Sequence, residues 1–316
     1  RAIAEYYNTY YGSKLTDANV MVFAGGRPAL VALLWMLAED LGVSIEETEY
    51  TPYYDLLQIL GREPKLIASN AGNRFRPGLA DHPRGDQTLL IKSNPCNPTG
   101  VVTQGEDLAA LVRHYSQPGK AALIDEAYEF FADPEPVSAL AHIEAIDDTD
   151  LFVVGAATKG LQVPGMRIGW VVAAQRNIEL FRNYSSFGMG GVSRASQRYV
   201  TELLEPDRVA LARRAVGKFY NEQRQRYGEG LERLGFELYS GTGGFYHWGR
   251  VPGGITADAL NERLFQKQAG ILPGRLCDMA RRGEAGPMGC MARFSFGPLH
   301  ADSLESDLAL LKSCLD

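Results

Sequence analysis

The sequence is poor in the residues that build metal centres and disulfide scaffolds. Its 316 residues include four cysteines and five histidines. Cys96, Cys277, Cys290 and Cys314 form no CxxC pair, and no histidine cluster stands beside them. This argues against a zinc site and predicts reduced thiols of a cytoplasmic protein. Long apolar runs are lacking too. The longest, Ala29 to Ala38, falls well short of the roughly eighteen residues of a membrane span. Excess positive charge is absent. The formal net charge is −6, which leaves no basic footprint for nucleic acid or an anionic membrane. No signal-peptide pattern opens the chain, and its first residue is Arg1 rather than methionine, so a preceding segment is expected to be missing. No repeat period or low-complexity tract is visible.

What is present is the composition of a globular enzyme, 45% hydrophobic and 22% charged. The length suits one large α/β domain with a smaller companion. Arg1 to Tyr11 reads as a helix ended at Gly12. Gly25-Gly26-Arg27-Pro28 reads as a turn opening a helix from Pro28 to Leu41, with Leu30, Leu33, Leu34 and Leu37 at helical spacing. Short apolar runs follow at Leu89–Ile91, Ala121–Ile124, Leu151–Val154 and Ile168–Ala173, separated by helical segments. That alternation predicts an α/β fold with a mostly parallel sheet covered by helices on both faces. Beyond about Ser193 come polar helices broken near Pro206, then the strands Phe245–Trp248 and Ala292–Phe296. We expect a large domain over residues 13–200 and a smaller α+β C-terminal domain over 201–316. Residues 1–12 are expected to pack near the smaller one.

Most of the notable polar residues directly follow an apolar run, where sheets of this kind bind their ligands. Lys159 lies among small residues in Gly155-Ala156-Ala157-Thr158-Lys159-Gly160. Crowding there would lower its pKa and suit a Schiff base, although a lone lysine is more often a solvated surface group. Arg167 enters an apolar strand and needs an anionic partner, either a phosphate or a structural carboxylate. Ser93-Asn94-Pro95-Cys96-Asn97-Pro98-Thr99-Gly100 is the most specific run, a rigid loop that fixes Asn97. Asp125, in Asp125-Glu126-Ala127-Tyr128, is a strand-end carboxylate suited to a cationic ring nitrogen, or alternatively a helix cap. Gly25, Gly26 and Arg27 can present backbone N–H groups to an anion at a helix N-terminus. Arg293, embedded in an apolar strand, is either an ion-pair member or a carboxylate receptor.

In this order the segments resemble the fold-type I pyridoxal-phosphate enzymes, specifically the class I/II aminotransferases. Asn-Pro-Cys-Asn-Pro-Thr-Gly resembles the family's NPxNPTG loop, and Asp-Glu-Ala-Tyr its D-E-x-Y strand end. Lys159 to Gly169 resembles its SxxK…GxRxG segment, and Ala-Arg293-Phe-Ser its late strand carrying the substrate arginine. The resemblance implies an aspartate-aminotransferase-like fold whose large domain binds pyridoxal 5′-phosphate. Lys159 would form the internal aldimine and shuttle the proton. Asp125 would keep the ring nitrogen protonated, and Asn97 and Tyr128 would bond the phenolic oxygen. Arg167, with Gly25, Gly26, Arg27 and Thr158, would hold the phosphate. Tyr54 would stack on the ring, with Tyr53 as its rival. Arg293 and Asn97 would receive the substrate carboxylate.

The implied activity is transfer of an amino group between an α-amino acid and a 2-oxo acid, in a homodimer with shared active sites. The glycine-rich stretch Gly188–Ser193 falls where a partner's loop enters in that family, or is a plain linker. Two departures stand out. Ala156 occupies the place of the family's phosphate-binding hydroxyl, which Thr158 or Arg27 would have to replace. The family's N-terminal segment is also missing. The same residues would serve a β/γ-lyase, cyclase or synthase on this cofactor, or a non-catalytic sensor domain. Arg27, Arg275, Tyr246 and His247 are the candidates for a side-chain pocket, each with a packing or surface reading beside it.

Overall fold

The fold is described here from a computed structural model for residues 1–85 and 87–315. The first half alternates strands and helices: α1 (Ala2–Tyr11), β1 (Val20–Phe23), α2 (Gly26–Trp35), β2 (Gly42–Glu46), α3 (Thr51–Ile59) and β3 (Lys65–Ile67). There follow β4 (Thr88–Ser93), α4 (Gly105–Tyr115), β5 (Lys120–Asp125), β6 (Leu151–Ala156), β7 (Gly169–Val172) and α5 (Gln175–Tyr184). The second half holds α6 (Arg194–Leu203), the 28-residue α7 (Pro206–Arg233), β8 (Glu237–Leu238), β9 (Tyr246–Arg250), α8 (Ala257–Phe265), β10 (Leu272–Pro273), β11 (Met291–Ser295) and α9 (Leu304–Leu315).

The large sheet runs β1-β7-β6-β5-β4-β2-β3. β3, β2, β4, β5 and β6 are parallel, and β7 is antiparallel to both of its neighbours. Its central strands are apolar on both faces, so each face buries a separate core. Leu90, Ala122, Ile124 and Val153 point to a core built with α1, α4 and α7. Leu89, Ile91, Leu123 and Val154 point to the other, built with α2, α3 and α5. The period-two alternation therefore separates two apolar sets rather than an apolar and a polar one. A second, antiparallel sheet runs β10-β11-β9-β8.

One local reading of the sequence differs from the structure. α2 ends at Trp35, not at Leu41. The Arg62 guanidinium collects the carbonyls of Leu37, Ala38, Glu39 and Leu41, so the chain can leave the helix and turn into β2. α1 packs against the large sheet as well as near the second half. Trp170 of β7 donates to the Tyr7 hydroxyl at 3.0 Å. Tyr6 and Tyr11 both donate to the buried Glu129, which also pairs with Arg213 of α7. α1 is thus a bridge, because Tyr6 and Tyr11 place their buried hydroxyl donors on a carboxylate that also pairs with α7.

Among the described residues no helix is long and apolar enough to cross a membrane, and no cluster of His, Cys, Asp and Glu could hold a metal ion. The cysteines are free, and Cys96, Cys277 and Cys314 are buried.

Candidate active site

The parallel strands change direction of progression between β2 and β4. β2 is followed outward by β3, whereas β4 is followed on its other side by β5 and then β6. A crevice opens outside the carboxyl ends at such a point, because the connections on either side diverge. Here it is a cavity of about 450 Å³. Tyr50 enters it from beyond β2, Ser93 and Asn97 from β4, Asp125 and Tyr128 from β5, and Ala156, Thr158 and Lys159 from β6.

Lys159 is half-buried, with Nζ 5.0 Å from the centroid of the Phe245 ring and 5.8 Å from that of Tyr128. Its pKa is lowered, first by burial and then by the positive charges of Arg293 and Arg27. All three effects favour the neutral, nucleophilic amine.

Asp125 is buried. Tyr53 donates its hydroxyl to Oδ2 at 2.9 Å, and the Ala127 N–H donates to Oδ1 at 3.0 Å. Burial raises the Asp125 pKa, and these two donors oppose the rise. A cation brought into the cavity beside it would oppose the rise as well.

The anion-binding end is built from close backbone approach. Gly25 has φ +110° and ψ 168°, a conformation reserved for glycine. A Cβ there would lie 2.3 Å from Nη2 of Arg167. A Cβ on Gly169 would meet Gly25 C and Gly26 N at 2.5 Å. The two glycines therefore let the first turn of α2 settle against β7 with the Arg167 guanidinium beside it. Arg167 is further held by Nη1 donating to the Pro164 carbonyl at 3.0 Å. Free N–H groups at a helix start and a forked cation together form an anion site. Ala156 lies next to this turn, where a Cβ on Gly26 would be 3.6 Å from its own Cβ. Ala156 offers no hydroxyl, while Thr158 lines the same cavity.

Across the cavity, Arg293 donates through Nη1 to Asn97 Oδ1 at 2.6 Å. Its Cζ lies 5.3 Å from the Tyr246 ring centroid, and its buried Nε has no partner. Asn97 Oδ1 is thereby committed, which leaves its NH₂ as the remaining side-chain donor. Burial raises the Tyr128 pKa, and Arg293 opposes that rise.

The structure does not bring every expected residue to the cavity. Tyr54 stands outside its lining, with Arg281 stacked over its ring at 3.9 Å. Tyr53 is fully buried and turned onto Asp125. The aromatic that faces the cavity is Tyr50, whose hydroxyl accepts from Arg27 Nε at 3.0 Å. Tyr50 escaped the sequence reading because β2, Gly-Val-Ser-Ile-Glu, carries no apolar run to announce a strand end. Of the side-chain pocket candidates, Arg27 lines the cavity. Arg275 is instead paired with Asp258, and His247 is buried between Ser240 and the Arg224 carbonyl. Tyr246 supports Arg293 from behind and donates to the Cys96 carbonyl at 3.2 Å.

A mostly parallel seven-stranded sheet with this crevice, joined to a small antiparallel sheet, defines an aspartate-aminotransferase-like fold. The chain belongs to the aminotransferase class I and II family, whose model matches residues 1–283. It is 22% identical over 287 residues to the chloroplastic LL-diaminopimelate aminotransferase of Arabidopsis thaliana, a match covering 84% of this chain and 61% of that protein. It is 26% identical over 288 residues to the LL-diaminopimelate aminotransferase of Natranaerobius thermophilus, covering 86% and 72%. Among solved structures, aspartate aminotransferase from Thermus thermophilus with maleate superposes with a TM-score of 0.86 at 23% identity, covering 99% of this chain and 80% of that one.

Proposed function

We propose that the chain binds pyridoxal 5′-phosphate in this crevice and transfers an amino group between an α-amino acid and a 2-oxo acid. The observation that carries the reading is the meeting of Lys159, Asp125, Gly26 and Arg167 around one cavity, although the Gly25 N–H is turned away onto the Phe23 carbonyl. The donor set fits the cofactor. Gly26 opens a helix beside the Arg167 guanidinium, and a Cβ on the preceding Gly25 would push into that guanidinium, so the pair suits a phosphate. The carboxylate of Asp125 suits a protonated ring nitrogen, and a half-buried lysine with a lowered pKa suits a carbonyl carbon. When bound, the cofactor supplies an electron sink that lets the Cα–H bond of an amino acid ionise.

The chain's own residues supply the rest. Gly26, Arg27, Thr158 and Arg167 hold the phosphate, with Thr158 providing the hydroxyl that Ala156 lacks. Asp125, braced by Tyr53, holds the ring nitrogen's proton. Asn97 and Tyr128 donate to the ring oxygen. Tyr50, rather than Tyr54, would supply the aromatic surface for the ring. Arg293 receives the substrate carboxylate in a charge-assisted bond. Lys159 would carry the proton to and from the substrate's Cα.

The reading extends to a homodimer with shared active sites, a form compatible with exposed apolar residues such as Phe187, which is 82% exposed beside Gly188. It extends also to a cytoplasmic setting, which the free cysteines suit.

The test is spectroscopic. Purified protein given pyridoxal 5′-phosphate is expected to develop the visible absorbance of a lysine-bound cofactor. Donor amino acids are expected to bleach it and 2-oxo acids to restore it. A Lys159→Ala protein that still developed the wild-type band would refute the assignment.

A further inference from the structure

Behind the crevice wall lies a buried carboxyl that touches neither the cavity nor solvent. Glu49 is 0% exposed and lies between the end of β2 and the start of α3. Its Oε1 accepts from the Ser93 N–H at 2.8 Å, and its Oε2 accepts from the Tyr50 N–H at 2.7 Å. The Ser93 hydroxyl lies 3.0 Å from Oε1 and 2.8 Å from Oε2 and donates to them. That same hydroxyl oxygen accepts from the Asn97 N–H at 3.0 Å.

We infer that Glu49 is a positioning residue that fixes both cationic walls of the crevice from behind, through Ser93 and Asn97 to Arg293 and through Tyr50 to Arg27. The inference rests on the proposed reading of the crevice as the substrate site, and concerns what holds that site in shape.

The geometry follows from the sheet. β2 and β4 are adjacent parallel strands, so their carboxyl ends lie side by side where the chain leaves each in a different direction. The backbone donors at those ends lose their ladder partners and must be satisfied by something else. One carboxylate satisfies both. On the β4 side it sets the Ser93 hydroxyl, which sets the Asn97 backbone, whose side chain holds Arg293 at 2.6 Å. On the β2 side it sets the Tyr50 backbone, whose hydroxyl holds Arg27 at 3.0 Å.

The surroundings are charged as well. Burial, then the neighbouring Glu46, push the Glu49 carboxyl up to about 8, while Lys92 and the two backbone donors oppose them. Lys92 itself is buried and paired with Glu46. An ionised and a protonated carboxyl can each accept from both N–H groups. A primary amide cannot, because one N–H donor then faces an NH₂ group.

Glu49→Gln therefore isolates the effect, with Ser93→Ala as a second variant should the first fail to fold. Hydrogen–deuterium exchange of the cofactor-treated full chain reads the wall directly. Glu49→Gln is expected to speed exchange about tenfold, the size of one lost buried bond, at whichever of the Ser93 and Tyr50 amides comes to face the NH₂ group; Ser93→Ala is expected to do the same at the Asn97 amide, and both to leave β5 and β9 at wild-type rates. Ser93→Thr, which keeps the hydroxyl, is expected to restore the slow rate.

Half-reactions with L-glutamate, L-aspartate, L-glutamine and LL-2,6-diaminopimelate supply the second readout. For the donor that reacts fastest in wild type, Glu49→Gln is expected to raise the half-saturating concentration about tenfold, with the limiting rate changed less than threefold. Wild-type exchange at both Ser93 and Tyr50 in Glu49→Gln, or equally faster exchange throughout the sheet, would overturn the proposal. So would an unchanged half-saturation alongside faster exchange. If Lys159 fails to take up the cofactor, the reading of the crevice falls separately, and the exchange comparison still decides whether Glu49 holds the wall.

Discussion

Replacing Gly25 by alanine puts a single methyl group between the backbone cradle and the Arg167 guanidinium. Two costs are readable from the structure. The first is conformational, since φ +110° with ψ 168° is a region that L-residues avoid at about 1–3 kcal/mol. The second is steric, since the new Cβ would stand 2.3 Å from Arg167 Nη2. Nη2 is the far end of a flexible chain anchored by Nη1 at the Pro164 carbonyl, so the guanidinium swings away at little cost in stability. What is lost is its aim. A charge-assisted bond to an anion is worth about 1.5–3 kcal/mol, so affinity for a phosphate-bearing ligand should fall about 10–100-fold.

The assay is a spectral titration with pyridoxal 5′-phosphate, run in parallel with pyridoxal, which has no phosphate. The variant is expected to lose phosphate-ester affinity by that factor and to bind pyridoxal within about threefold of wild type. Its thermal midpoint should drop by a few degrees. In Gly25→Ala/Arg167→Ala the losses should not add, because both act on one contact. Wild-type affinity in Gly25→Ala, or an equal loss for pyridoxal, would refute the reasoning.

Arg27→Gln removes one of the two positive charges that lower the Lys159 pKa, so that pKa should rise and the pH profile for cofactor attachment should move to higher pH. Arg27→Lys keeps the charge and should hold the profile in place; a shift to lower pH in Arg27→Gln would contradict the assignment. Tyr53→Phe removes the 2.9 Å donor to Asp125 and leaves the ionised carboxylate less well held. Cofactor affinity is then expected to fall about tenfold, measured by the same titration, and an unchanged affinity would separate Tyr53 from the ring-nitrogen site.

How far the sequence reached depends on the kind of residue. Segments ending in Asp125 and in the Asn-Pro-Cys-Asn-Pro-Thr-Gly loop were legible because each follows an apolar run buried on both faces. Such short runs, bounded by turn residues, read as strands buried on both faces. Lys159 was legible through its place between the Asp125 strand and Arg167, since small neighbours alone would leave it a surface lysine more often than not. Gly160 illustrates why they are small, since a Cβ there would meet the Phe130 ring at 2.9 Å. The parallel sheet followed from the alternation of strands and helices.

By itself, then, the sequence determined the layered architecture and the chain segments that reach the crevice. These depend on apolar periodicity and on residues adjacent in the chain. Tertiary structure alone decided the rest. Tyr50, not Tyr54, faces the cavity because α3 starts at Thr51 and turns Tyr53 onto Asp125 and Tyr54 toward Arg281. The cradle needs Gly169 against Gly25, residues far apart in sequence. Glu49 carried no signal at all, because its meaning lies in two strand ends that only the sheet brings side by side.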